Sequence, residues 1–281
     1  MGIAEEEAEL SREMVQFLTN DVISQLRTTQ SQLEDAERRW SRMETQEEAT
    51  GKSMKAKVKI DGHLVTEADI EVNLRRGYLV NSKLHQACVL DQLLEFHRAL
   101  QLQYRRMENI VRLLEKQVSS IQDAGDGRLL QHTSSLVAQV VTELGSMCRD
   151  LRTGGNAVRL PSTRRFPYCS QLDHHFVPAL PSDMLIDMSV HQARLVVEAF
   201  IVAPSSKPTD NFLSGDGKKE FAGQVTVFRG QVVEIVKQTS VAVDLPGLDD
   251  MLTTVDAQVA RLLHVRDQGD ALMQCGVVVS S

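Results

Sequence analysis

Apolar side chains return every three or four residues from Ala4 to about Met43. Leu10, Met14, Phe17, Leu18, Val22, Leu26, Leu33, Ala36 and Trp40 fall between charged or amide positions, and no glycine or proline interrupts them. This is the pattern of a helix with one buried stripe. Residues 44–53 are polar and include Gly51, which predicts a linker. The period then changes to two. Met54, Ala56, Val58 and Ile60 alternate with Lys55, Lys57 and Lys59, and beyond the Asp61-Gly62 turn signal Ile70, Val72 and Leu74 alternate with Glu71, Asn73 and Arg75. Two half-buried strands are expected here.

A long helix is predicted next, from around Ser82 or Asp91 to Asp123. Leu93, His97, Leu100, Tyr104, Met107, Val111, Leu114, Val118 and Ile121 step by four and three without a break, the seam of a helix packed along another helix. Ala124 to Gly127 interrupts it. Leu130, Val137, Val140, Leu144, Met147 and Leu151 resume the spacing until Gly154-Gly155, where the second helix is expected to stop. So short a break between long helices predicts an antiparallel hairpin.

Pro161, Pro167, Pro178 and Pro181 make residues 154–182 read as irregular. Strand character returns at Met184 to Val190 and Leu195 to Ala203 around a His191–Arg194 turn, and at Val225 to Phe228 and Gln231 to Ile235 across Arg229-Gly230. Pro204 to Gly217 between these pairs reads as a surface loop. A last helix opens near Pro246 with Leu248, Leu252, Val255, Val259 and Leu262 at heptad spacing. The predicted fold is α+β: an elongated antiparallel four-helix bundle, built from the first, two central and last helices, with a separate antiparallel β-domain. The bundle would take residues 1–50, 82–153 and 246–273. The β-domain would take 54–81 and 176–245 as one sheet, with 154–175 as an irregular connector.

Charge and composition narrow the function. A net charge of -7 with dispersed basic residues argues against nucleic acid as a ligand. At 4% aromatics, the chain is poor in platforms for bases or flat cofactors. Cys88, Cys148, Cys169 and Cys275 are far apart with no CxxC pair, and Glu5 to Glu7 stand where a signal peptide would carry positive charge, so a reducing, cytosolic setting is expected. No run of about 18 apolar residues predicts a membrane span.

Residues 176–185 read FVPALPSDML, followed by IDMSVHQARLVVEAFIV and a loop with Lys207, Pro208, Asn211 and Phe212. This stretch resembles the signature of the Rogdi family, Phe-x-Pro-Ala-Leu-Pro-Ser-Asp-Leu/Met-Leu. VKIDGHLVTEADIEVNLRR (58–76) is similar to the family's early strand pair, LSREMVQFLTNDVISQL (10–26) to its opening helix, and VFRGQVVEIVKQTSVAVDLPGLDDML (227–252) to its last hairpin and final helix. Element order agrees along nearly the whole chain. The linker after the first helix is shorter than in animal members, and the tail GVVVSS lacks their aromatic ending, so no tail residue is carried over.

The resemblance implies a helical bundle beside a β-domain in a small subunit of the RAVE or rabconnectin complex. Its partners would be a large WD-repeat subunit and the V1 sector of the V-ATPase, whose docking onto the membrane sector supports organelle acidification. No enzyme activity, cofactor or metal is expected, because no catalytic or metal-binding motif stands in the chain. The chain would be cytoplasmic and recruited peripherally to endomembranes through partners, without inserting into the membrane, and self-association is compatible with it. Phe176, Pro178, Ala179, Leu180, Pro181, Ser182 and Asp183 are then the candidate partner-binding residues, their backbone restrained by the two prolines. A hinge between bundle and sheet is the alternative role for the same turn.

Other constellations carry weaker chemistry. Cys169, Asp173, His174 and His175 offer zinc-type ligands, but without the spacing of a standard site. SGDGKKE (214–220) resembles a phosphate loop, yet lacks its first glycine and has Lys219 where Ser or Thr should bind magnesium. His97 could be a buried ligand or a pH switch, or a hydrogen-bonded core or partner-facing residue. No G-x-S-x-G elbow occurs, and Glu5 to Glu7 and Asp249-Asp250 sit at helix starts, where the helix dipole favours carboxylates. A generic helical tether in membrane trafficking and an enzyme with a scattered site are the competing classes.

Overall fold

The computed structural model describes residues 3–41, 45–75, 78–122, 129–160, 172–207 and 221–279. It is α+β, with two separate antiparallel sheets where the sequence pattern suggested one. The chain divides into two compact units. One comprises Met1–Glu37, Arg98–Gly155 and Asp250–Ser281, the other Arg38–His97 and Asn156–Asp249.

The first unit is helical. Its opening helix is continuous but changes pitch: α1 (Ile3–Gln16) passes through a π-helical turn (Phe17–Val22) into α2 (Ile23–Ser41). The predicted stripe from Leu10 to Trp40 is buried along both segments. Central helices α3 (Asp91–Gln122) and α4 (Leu129–Arg159) and the last helix α5 (Leu248–Val279) bury the expected seams through Leu100 to Val118, Val137 to Leu151 and Leu248 to Leu262, while Leu130 is half-buried. Helix α3 starts at Asp91, and on its first turns Phe96 is buried while His97 is only half-buried, so the phenylalanine fills the inward position that the regular spacing assigned to the histidine. Helix α5 runs past Met273, where its readable pattern ends, to Val279.

Polar residues interrupt these seams in pairs. Thr29 is fully buried and donates its hydroxyl to Gln258 Oε1 on α5 at 3.2 Å. Ser11 and Thr133 share a buried hydroxyl contact between α1 and α4. Arg106 on α3 spans two residues of α4, donating to Glu143 at 2.8 Å and Asp150 at 2.6 Å, which aligns the two helices. Buried polar groups cost stability unless partnered, so such pairs favour one register over a slipped one. Gly269 of α5 allows the closest approach. A Cβ built there would meet Val141 Cγ2 at 2.6 Å and Phe17 Cζ at 3.1 Å.

The second unit holds both sheets. The first sheet orders β1 (Thr45–Thr50), β2 (Met54–Asp61), β3 (Leu64–Arg75), β4 (Tyr78–Leu84) and β6 (Phe176–Val177), with β5 (Cys88–Val89) also on β3. Residues 45–50 are thus strand rather than linker, and 82–84 are strand rather than helix. The lysine face of β2 explains the first difference. Glu48 of β1 lies opposite Lys57, and Lys55, Lys57 and Lys59 face Glu71, Asp69 and Glu67 of β3, so complementary charge recruits a polar edge strand. At the β1–β2 turn, Gly51 approaches Val241 Cγ1 so closely that a Cβ would lie 3.1 Å from it, which brings the two sheets together.

The second sheet orders β7 (Met184–His191), β8 (Arg194–Pro204), β10 (Gln231–Asp244) and β9 (Val225–Phe228). Both predicted hairpins form. Their turns place Gln192, Ala193, Arg229 and Gly230 at positive φ, as two-residue connections between twisted strands require. Strand β7 is an edge strand buried from Met184 to Val190 on both faces, and its outer backbone cannot reach water. Gln92, at the start of α3, closes it: the amide donates to Val190 O at 2.8 Å and accepts from Val190 N at 2.7 Å, while also donating to Ala157 O at 2.9 Å.

The β7–β8 turn in turn caps α4. Gln192 N donates to Arg159 O and Ala193 N to Val158 O. These tertiary bonds carry α4 through Gly154-Gly155, because two helical glycines cost only about 1 kcal/mol each while the capped end contributes hydrogen bonds and buries Val158. The connector expected at 154–175 therefore begins with helix up to Arg159.

Two substitutions test this packing by urea unfolding. Gln92→Ala should cost about 2–4 kcal/mol, since it strands the buried N–H and C=O of Val190 and removes the bond to half-buried Ala157; a loss below about 0.5 kcal/mol would mean that β7 does not depend on it. Gly269→Ala should destabilise by about 1–3 kcal/mol despite alanine's higher helix propensity, and a gain in stability would contradict the close approach to Val141.

Candidate functional site

The proline-rich segment lies wholly within the second unit and passes from one sheet to the other. Phe176 and Val177 form β6, pairing with Leu84 and Lys83 of β4, and His85 N donates to His175 O at 2.6 Å. Strand pairing then ends, because Pro178 has no N–H to offer; its peptide with Val177 is cis. The Ser82 hydroxyl donates to Pro178 O instead. Further on, Met184 N donates to Pro181 O, and Val202 N of β8 donates to Asp183 O at 2.9 Å.

Exposure sorts the seven candidates into three sets. Phe176 and Leu180 point inward, at 2% and 7% exposure, and Pro181 and Asp183 are half-buried. Pro178, Ala179 and Ser182 are exposed, and so is Val177, which sequence reading had not singled out. Val177 shares its outward face with Lys83 and, by strand alternation, with Asn81 and Leu79. Leu79 and Val177 are each 56% exposed. On this face Lys83 pairs with Asp69 of β3 and Asn81 follows it, so Val177 and Leu79 are two separate apolar side chains about 13 Å apart along β4.

A second cluster escaped the sequence reading. Asp187 of β7 faces Glu198 of β8 across the strand pair, and both carboxylates are buried. Asp187 accepts from Met188 N at 2.9 Å, Gln238 of β10 donates to Glu198 Oε1 at 2.8 Å, and Phe221 N donates to Gln238 Oε1 at 2.7 Å. Burial pushes the Glu198 carboxyl up to about 7 and the Asp187 charge adds to this, while the Gln238 amide opposes it. The signal was available: each acid interrupts an otherwise apolar strand, and a turn at Gln192-Ala193 fixes their register.

Of the zinc-type candidates, Cys169 and the side chain of Asp173 lie outside the described residues. His174 is exposed and His175 half-buried. Among the described residues no three His, Cys, Asp or Glu side chains converge on a metal-sized site. The phosphate-loop candidate at 214–220 also lies outside the described residues. His97 is half-buried and stacks on His63, with ring centroids 6.3 Å apart. No described helix is long and apolar enough to cross a membrane.

The family model described as Rogdi leucine zipper containing protein matches residues 15–239. The matched span contains the proline-rich segment and the Asp187–Glu198 pair. No curated protein matches the chain.

The carboxylate pair sets a pH dependence. Between the ordinary 4.5 of Glu198 and about 7, the folded chain keeps a proton that the unfolded chain releases. Stability contributed by this group therefore falls as pH rises through that window, by on the order of 3 kcal/mol, and the penalty is complete above it. Glu198→Gln should raise stability above pH 7 by about 1–3 kcal/mol and flatten the slope relative to the parent chain in urea titrations. Identical slopes would show that Glu198 is ionised in the fold without cost.

Proposed function

We propose that this chain, which belongs to the Rogdi leucine zipper family, is a non-catalytic adaptor subunit of a RAVE-type complex. In this reading it joins a large WD-repeat subunit to the V1 sector of the V-ATPase, promotes docking of V1 onto the membrane sector and so supports organelle acidification. The observation that carries it is the family match across most of the chain, which includes the proline-rich segment. The two-sided burial of that segment supports a docking role. Phe176 and Leu180 hold it in the β unit, and Val177, Pro178, Ala179 and Ser182 remain for a partner.

The helices serve as scaffold in this reading, arranged as an antiparallel four-helix bundle whose seams are consumed internally. Fully desolvated anchors at the centre of a patch contribute most of the affinity in protein interfaces. Exposed Val177, Pro178 and Ala179, with Lys83 beside Val177, offer a small apolar patch with a charged rim. Adaptor function requires no bound cofactor and no reactive side chain. The protein reaches endomembranes through its partners.

Affinity purification of the tagged chain from its native cells, with co-purifying proteins identified, tests the proposal. Recovery of a very large WD-repeat protein together with V1 subunits is expected. Val177→Asp with Ala179→Arg should weaken that recovery roughly tenfold, about 1.4 kcal/mol, while leaving the unfolding midpoint unchanged. Capture of trafficking proteins without V1 subunits would favour a generic tether instead, and undiminished capture by the variant would remove the segment from the interface.

A further inference from the structure

On this acidic protein, α3 carries a row of exposed cations. Arg98, Arg105 and Arg112 follow at seven-residue intervals and Lys116 continues the row, with Glu108 the acid that borders it at Arg112. Leu102 and Leu113 project beside them, at 56% and 38% exposure. Arg112 pairs only within its own helix, with Glu108 and Asn109. Arg98, Arg105 and Lys116 have no ion pair among the described residues.

A complementary row lies on α1. Glu6, Glu9 and Glu13 are exposed on one strip, likewise without an ion pair among the described residues. Glu6 and Glu13 are also seven residues apart, so both rows repeat at about 10.5 Å. The two rows cannot satisfy each other inside one copy. Arg27 pairs with Glu115 and Gln101 bonds to Glu37, so α1 and α2 run antiparallel to α3. The α1 row therefore lies past the far end of α3, with about 35 Å along the helix axis between the centres of the two rows.

We propose that these rows form the contact between two copies of this chain. The acidic strip of α1 in one copy lies on the arginine strip of α3 in the other, with Leu102 and Leu113 desolvated between them. Because the rows sit at opposite ends of the helical unit, an antiparallel second copy engages both at once. The contact then closes on itself as a symmetric dimer rather than growing into a filament. Charge pairing supplies register and salt sensitivity, and the two leucines supply apolar area. The inference stands apart from the adaptor reading, which concerns a different unit of the chain.

Sedimentation velocity of the full chain at about 0.05 M and about 0.5 M salt tests it. A concentration-dependent dimer, weakened roughly tenfold by the higher salt, is expected. Arg98→Glu with Arg105→Glu, and separately Glu6→Lys with Glu13→Lys, should each give monomers at concentrations where the parent chain dimerises. All four positions are exposed, so circular dichroism and the unfolding midpoint should be unchanged. Mixing the two variants should restore a heterodimer, because both contacts are again complementary. A parent chain that is monomeric under all conditions would overturn the proposal, as would variants that dimerise like the parent or a mixture that stays monomeric. A monomer whose arginine row binds phosphatidylserine vesicles would also overturn it and assign the row to a membrane surface.

Discussion

The side-chain amide of Gln92 occupies the place of a peptide group at the edge of β7. An edge strand buried on both faces exposes a line of N–H and C=O groups to an interior where water cannot satisfy them, and leaving such a group unpaired costs about 1–3 kcal/mol. Gln92 presents a donor and an acceptor to Val190, and the same nitrogen reaches Ala157 of α4. Other features follow from this junction. The β7–β8 turn is held where its free N–H groups cap Val158 and Arg159, and α4 continues past a glycine pair that would end a solitary helix.

The helical unit meets a different constraint. Heptad seams of Leu, Val and Met would allow neighbouring helices to slip by a turn at little cost, since one aliphatic contact replaces another. The paired polar residues remove that freedom. Thr29 with Gln258, Ser11 with Thr133, and Arg106 between Glu143 and Asp150 are satisfied in one alignment only. Gly269 adds a steric condition, because Val141 and Phe17 fill the space its missing side chain leaves.

In the β unit the same economy separates structure from recognition. The proline-rich segment is anchored by Phe176 and Leu180 and by backbone bonds to both sheets, leaving a small apolar corner outward. Burial of the Glu198 carboxyl in the second sheet works against folding once the group ionises. Asp187 and Glu198 replace apolar residues at the centre of a hairpin, where Gln238 offsets only part of the cost.

Much of this protein is written in its local pattern. The seams of α1 to α5, the two hairpins of the second sheet and the β2–β3 pair follow from periods of 3.6 and 2 and from turn residues, because each is decided by which face of one element meets water. The proline-rich segment could likewise be found by its residues, and the family match over 15–239 includes it. Tertiary structure alone decided that TQEEAT is a strand, since its polar side chains select no face and only the lysines of β2 call it into the sheet. It also carried α4 to Arg159, divided the strands between two sheets, and sorted the segment into inward anchors and an outward corner. These outcomes depend on hydrogen bonds and charges contributed by residues far away in the chain, and no local period encodes those.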